Sequence, residues 1–115
     1  MTDPSYWSAQ RCLAALRSRE ISSFELVEAC IARVEERNPS LNAVVAKDYE
    51  RARECARRSD DARLAGRDLG PLHGLPMTVK DALQTAGLVT TSGAPSLRDF
   101  VPDEDAVAVE RALGA

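Results

Sequence analysis

The sequence predicts an α/β chain. Apolar residues recur at helical spacing in four separate stretches, two short apolar runs at 41–46 and 75–79 have the length of strands, and proline and glycine punctuation separates the two kinds. A length of 115 residues fits one small domain. Hydrophobic residues at 44% and charged residues at 29% are the balance of a globular chain rather than a disordered one.

The elements follow in order. Tyr6, Ala9, Cys12, Leu13 and Leu16 fall on one side of a helical wheel, which predicts a first amphipathic helix with Ser5 as N-cap, ending near Arg17 to Glu20. Ser22-Ser23-Phe24-Glu25 has capping-box spacing and opens a second helix. Its apolar arc is Phe24, Leu26, Val27, Cys30, Ile31 and Val34, and Pro39 biases Asn38 out of the helix. The short link predicts that these two helices form an antiparallel pair.

Leu41 to Ala46, with Val44-Val45, reads as a short buried strand. Tyr49, Ala52, Cys55, Ala56, Ser59 and Ala62 mark a third helix whose small side chains suit close packing on a sheet. Its arginines (Arg51, Arg53, Arg57, Arg58 and Arg63) scatter around the wheel, and Glu50 and Glu54 interleave with them at spacings of three and four. That pattern is a solvated, salt-paired face rather than a phosphate-binding stripe. Leu64 to Leu69 is a linker.

The linker leads into GPLHGLPMTVKD, residues 70–81. Gly70-Pro71, Gly74 and Pro76 stop any helix, and Leu75, Met77 and Val79 alternate with Thr78 and Lys80, which predicts a short strand ending in a lysine. An ammonium at the start of a sheet interior is costly unless paired or neutralised. Beyond Asp81 the chain is irregular for longer than a simple connection requires, which marks a functional loop. Asp103 or Asp105 is placed to cap a last helix striped by Ala106, Val109 and Leu113, with Gly114 as its C-terminal cap.

Composition narrows the function. A net charge of −3 does not supply the positive excess that holds nucleic acid, and no apolar run approaches the roughly 20 residues of a membrane helix. The stretch MTDPSYWSAQ lacks the regions of a signal peptide, so the expected location is cytoplasmic. Cys12, Cys30 and Cys55 have long, unequal spacings, and with one histidine they suggest neither a disulfide framework nor a metal site; buried reduced thiols are expected.

GPLHGLPMTVKD, followed by Thr85-Ala86-Gly87, Thr90-Thr91 and Gly93, resembles the amidase signature family, whose members share a G-P-L-x-G-[IL]-P-x-x-V-K-D segment. The resemblance continues backward through Ser22-Ser23, Leu26-Val27, Ile31-Ala32-Arg33 and 38–43, and forward through Phe100-Val101-Pro102 and Asp105-Ala106-Val107. It implies an α/β fold of which residues 1–115 are the N-terminal portion of one amidase domain. Residues 1–40 would be a peripheral helical pair, and 41–115 the start of the catalytic core with the first strands of a mixed sheet.

The family hydrolyses amides with a Ser, cis-Ser, Lys triad, and the resemblance assigns the catalytic base to Lys80. Both serines of the family lie in a Gly-Ser-rich segment expected downstream of these residues, so the 115-residue chain alone is expected to be inactive. One departure is Ala94, where the family often has serine after the glycine.

No cofactor and no metal are expected. The implied partners are a small-molecule amide substrate in the complete enzyme and either a homodimer mate or a complementing C-terminal chain, with no nucleic acid bound by this segment and no membrane. Two alternatives stand beside the hydrolase: an amidotransferase A-type subunit that works with charged transfer RNA, and a non-catalytic truncated remnant or binding module.

Each singled-out residue also has a structural reading. Lys80 alone would be a strand-end lysine reaching water or Asp81, whereas a base must spend time neutral, which burial promotes by lowering a pKa of about 10.4. His73, in a turn with no nucleophile or metal partner at useful spacing, reads as turn packing. Asp81 either orients Lys80 or caps local amides. Ser5, Ser8, Ser18, Ser22 and Ser23 read as helix caps.

Overall fold

The structure is a computed structural model that describes residues 2–115. Its helices are α1 (Ala9–Arg17), α2 (Ser23–Leu41), α3 (Tyr49–Leu64) and α4 (Val107–Gly114), with short 3-10 turns at Pro4–Tyr6 and Pro95–Leu97. Ser8, rather than Ser5, caps α1: its hydroxyl accepts from the Arg11 amide at 3.2 Å, because Pro4 first sets a 3-10 turn that Asp3 caps. The capping box of α2 forms as expected, Ser22 Oγ accepting from Glu25 N–H and Glu25 accepting from Ser22 N–H. Pro39 does not end α2. It removes one donor near the C-terminus, and the last turn closes with Asn42 N–H on the Asn38 carbonyl at 2.7 Å, Asn42 adopting φ +50°.

The chain divides into two units. The first comprises the residues up to Ala43 with Tyr49–Pro76. Its core joins Cys12 and Leu16 of α1 to Leu26 of α2, with Trp7, Ile21, Cys30 and Leu75 packed around them. Leu16 and Leu26 are fully enclosed, each worth about 1.5–3 kcal/mol in apolar burial. Polar ties join α2 and α3. Asp60 of α3 accepts from the amides of Ser23 and Phe24 at 2.8 and 3.1 Å, capping two donors that α2 leaves open. Arg53 bridges Glu28 and Glu50, and Arg57 lies 4.6 Å over the Phe24 ring.

The second unit comprises Val44–Asp48 and Met77–Ala115. It is mostly irregular backbone tied at intervals: Gly87 N–H to the Pro102 carbonyl at 3.1 Å, Thr90 N–H to Phe100 at 2.9 Å, and Ala106 N–H to Gln84 at 2.8 Å. Asp105 accepts from the Ala86 amide at 2.7 Å and so is taken from the capping role; Ala106 is the N-cap of α4 and offers no side chain. Gly114 is the last residue of α4 and Ala115 its C-cap.

No strand is present among the described residues, which differs from the two predicted at 41–46 and 75–79. A strand exists through its ladder, and the backbone amides of 77–80 bond to no other backbone within these residues. Residues 41–43 go to the end of α2 and its cap region, and Val45 is exposed rather than buried. The described residues therefore supply the helical part of the α/β expectation, and the sheet part is not formed by them.

Candidate catalytic-lysine segment

The segment 70–81 begins in the first unit as a tight turn. His73 N–H donates to the Gly70 carbonyl at 3.2 Å and Leu75 N–H to Leu72 at 3.0 Å. Gly74 has φ +81°, and a Cβ there would lie 2.1 Å from Ser23 Oγ, so both backbone shape and space require glycine. The turn is anchored from α3 and α1: Arg63 Nη2 donates to the His73 carbonyl at 3.0 Å and Arg17 Nη2 to the Pro71 carbonyl at 3.3 Å. His73 Nε2 lies 2.8 Å from the Ser59 carbonyl, and since a carbonyl only accepts, that nitrogen carries the hydrogen. His73 thus packs the turn, as its position in sequence suggested.

Lys80 lies in the second unit, on the irregular stretch that follows. Its side chain is exposed, and among the described residues its ammonium forms no hydrogen bond or ion pair; its carbonyl accepts from Leu83 N–H at 2.9 Å. Burial that would favour a neutral amine is not supplied by these residues. Met77 is 48% exposed as well, so the alternation from Leu75 to Val79 does not resolve into a covered face and a wet one.

Asp81 faces a different task from Lys80. Its carboxylate accepts from Thr91 Oγ1 and, at 2.9 Å, from the Thr91 amide, while its carbonyl accepts from Ser92 N–H at 2.7 Å. The Thr91 hydroxyl, then the Thr91 amide, holds the Asp81 carboxyl below the usual carboxylate range. Thr91 Oγ1 in turn accepts from Gly93 N–H at 3.1 Å, and Ser92 and Gly93 adopt φ +51° and +73°. Of the two readings of Asp81, capping of local amides is the one this geometry supports.

Sequence reasoning missed Arg17, Asp60, Arg63 and Thr91. The wheel groups Arg63 with a solvated face, and part of that face is salt-paired as expected, through Arg53 with Glu28 and Glu50. Arg63 instead turns inward, and the available signal was its i+3 spacing from Asp60, both on one face of α3. Among the cysteines, Cys12 is buried, Cys30 half-buried and Cys55 exposed, so the expectation of burial fails for Cys55. No group of three His, Cys, Asp or Glu side chains occurs together among the described residues.

Residues 70–93 thus form a glycine turn, a stretch carrying Lys80, and a Thr-Ser-Gly loop tethered by Asp81. The Amidase family profile matches residues 25–115, and the chain belongs to the amidase signature family. It is similar to the A-type subunit of the glutamyl-tRNA(Gln) amidotransferase from Chloroflexus aurantiacus, 36% identical over 115 residues, covering all of this chain and 24% of that protein. It is similar also to an acylamidase of Rhodococcus erythropolis, 40% identical over 111 residues, covering 96% of this chain and 23% of that one. Among solved structures, a bacterial aryl acylamidase of the amidase signature family superposes with a TM-score of 0.79 at 36% identity, over 84% of this chain and 20% of that one. The chain spans about a quarter of the length of the curated relatives it matches.

Proposed function

We propose that this chain contributes the N-terminal part, and Lys80 the general base, of a hydrolase that cleaves an amide C–N bond through an acyl-enzyme. The observation that carries this reading is Lys80 itself. It stands in the family's lysine segment with its ammonium committed to no other group, next to an aspartate whose carboxylate is occupied elsewhere. A neutral lysine amine takes a proton through a bridging serine hydroxyl from the nucleophilic serine, whose oxygen attacks the amide carbonyl. Neither family serine is assigned within these 115 residues, nor is cover over Lys80, so the chain by itself is inactive in this reading.

The experiment is a chimera in which these residues replace the corresponding segment of the Rhodococcus erythropolis acylamidase. Amide hydrolysis is expected, and Lys80→Met, Lys80→Ala and Lys80→Arg should each abolish it, the last because a guanidinium stays protonated. His73→Ala should keep most activity, and Asp81→Asn should fall between. Retained hydrolysis in the Lys80→Met chimera would remove the mechanism.

A second reading is favoured by the match, along the whole of this chain, to the A-type component of an amidotransferase. There the same triad would release ammonia for a charged transfer RNA, with the other components of that enzyme as partners. The corresponding chimera in the Chloroflexus aurantiacus protein, assayed for amidation of glutamyl-tRNA(Gln), separates the two. Inactivity of both chimeras, each shown to be folded, would leave the non-catalytic binding module. The complementing C-terminal chain or homodimer mate and a cytoplasmic location belong to this proposal; what is observed is that no helix among the described residues is long and apolar enough to cross a membrane.

A further inference from the structure

Within the first unit, a cavity of about 150 Å³ is lined on its polar side by Arg17, Arg63 and His73 and on its apolar side by Leu13, Leu69 and Pro71. Two arginines line the same cavity. Neither Arg17 nor Arg63 forms an ion pair among the described residues. Each gives one Nη2 donor to a carbonyl of the same turn, Pro71 for Arg17 and His73 for Arg63. Arg63 is half-buried and its Nε is enclosed with no acceptor at all.

A carbonyl dipole satisfies a donor but does not neutralise a charge, so the half-buried Arg63 guanidinium, partly withdrawn from water without a counter-ion, is a costly arrangement, while the exposed Arg17 stays hydrated. Each guanidinium has five N–H donors in a planar fork, matched to paired oxygens. One donor of each fork is held by a carbonyl of the turn, which brings both side chains to the same cavity.

We infer that this cavity binds a tetrahedral oxyanion, either inorganic phosphate or the terminal phosphate of a small phosphomonoester. Five heavy atoms occupy on the order of three or four waters' share of liquid volume, about 100 Å³, which the cavity accommodates. His73, held by its Nε2 hydrogen on Ser59, keeps Nδ1 as the remaining polar atom of its ring for a protonated phosphate oxygen. The inference stands apart from the amidase chemistry, since it uses no residue assigned to proton transfer.

The test titrates the 115-residue protein, at a concentration where sedimentation gives the monomer mass and the amide spectrum of the first unit is that of a folded chain, with inorganic phosphate and, separately, glycerol phosphate at constant ionic strength. Binding is read from amide chemical shifts of Gly70 and His73. Saturable shifts are expected, with the stronger ligand identifying the source of the phosphate. Arg17→Met and Arg63→Met should each weaken binding about tenfold or more, Arg63→Lys by less, and Arg58→Met, an exposed arginine of α3, not at all. Because Arg63→Met also removes an anchor of the turn, Arg17→Met, at an exposed position, is the deciding variant. Absence of saturable shifts in the parent protein, or equal binding by Arg17→Met, would overturn the site.

Discussion

Gly74 and Gly66 both adopt positive φ, at +81° and +68°, but only one is crowded. A methyl at 66 meets nothing within 4 Å, whereas at 74 it meets Ser23 Oγ at 2.1 Å. Gly66→Ala should therefore cost about 1 kcal/mol for the left-handed backbone alone, and Gly74→Ala about 2–4 kcal/mol once the clash is added, as read by urea unfolding. Equal costs would show that Ser23 moves aside freely. Asp81 sets a pH dependence at the same scale. Its carboxyl is depressed in the folded chain, so the tether it makes to Thr91 is fully present above the ordinary carboxyl pKa and is lost as pH falls through the lower folded value. The Thr91 amide shift should titrate with that depressed midpoint, and in Thr91→Val the Asp81 carboxyl should titrate closer to the ordinary value. An unchanged midpoint would assign the depression to something other than Thr91.

At the scale of elements, the three thiols separate by the helix face that carries them. Burial pushes the Cys12 and Cys30 thiols up, while Cys55 lies on the open side of α3. Thiol labelling of the folded chain should therefore modify Cys55 first and spare Cys12 and Cys30 until denaturant is added; three equal rates would mean that α1 and α2 do not hold together. Why some elements were legible and others not follows from where their stabilising partners sit. The α2 capping box is made by residues three apart, so its start could be read directly from Ser22 and Glu25. The start of α1 was displaced because Pro4 claims the preceding turn, and the end of α2 because a proline one turn from a helix end removes too little to stop it. The predicted strand at 75–79 depends on neighbours that no local pattern specifies. The proposal for Lys80 rests on the motif around it, and nothing in its own exposure singles it out.

At the scale of the whole molecule, the second unit holds little interior. Val109 is its buried aliphatic residue, beside Thr85, Thr90 and Pro102, while Met77, Phe100, Val101, Val107 and Leu113 are exposed. Net stability of a domain is about 5–15 kcal/mol, and exposed apolar residues in such number favour association over solitary folding. The isolated chain should unfold over a broad range of urea, and its sedimentation mass should rise with concentration above the monomer mass of 12.5 kDa. A sharp, monomeric transition would show a self-sufficient domain.

The Asp60 cap on α2 joins residues 36 and 37 positions apart, and this has a bearing on synthesis. As the ribosome releases the chain, the first turn of α2 emerges with the Ser23 and Phe24 amides uncapped by α3, and it waits through the rest of α2 and most of α3 for the carboxylate that satisfies them. At about 5–20 residues per second that interval is a few seconds. Only after the turn at 70–74 has emerged can Gly74 close over Ser23. The segment leading to the lysine is therefore among the last pieces of the first unit to be set in place, and a nascent chain stalled before residue 74 would carry α2 with its entrance still open.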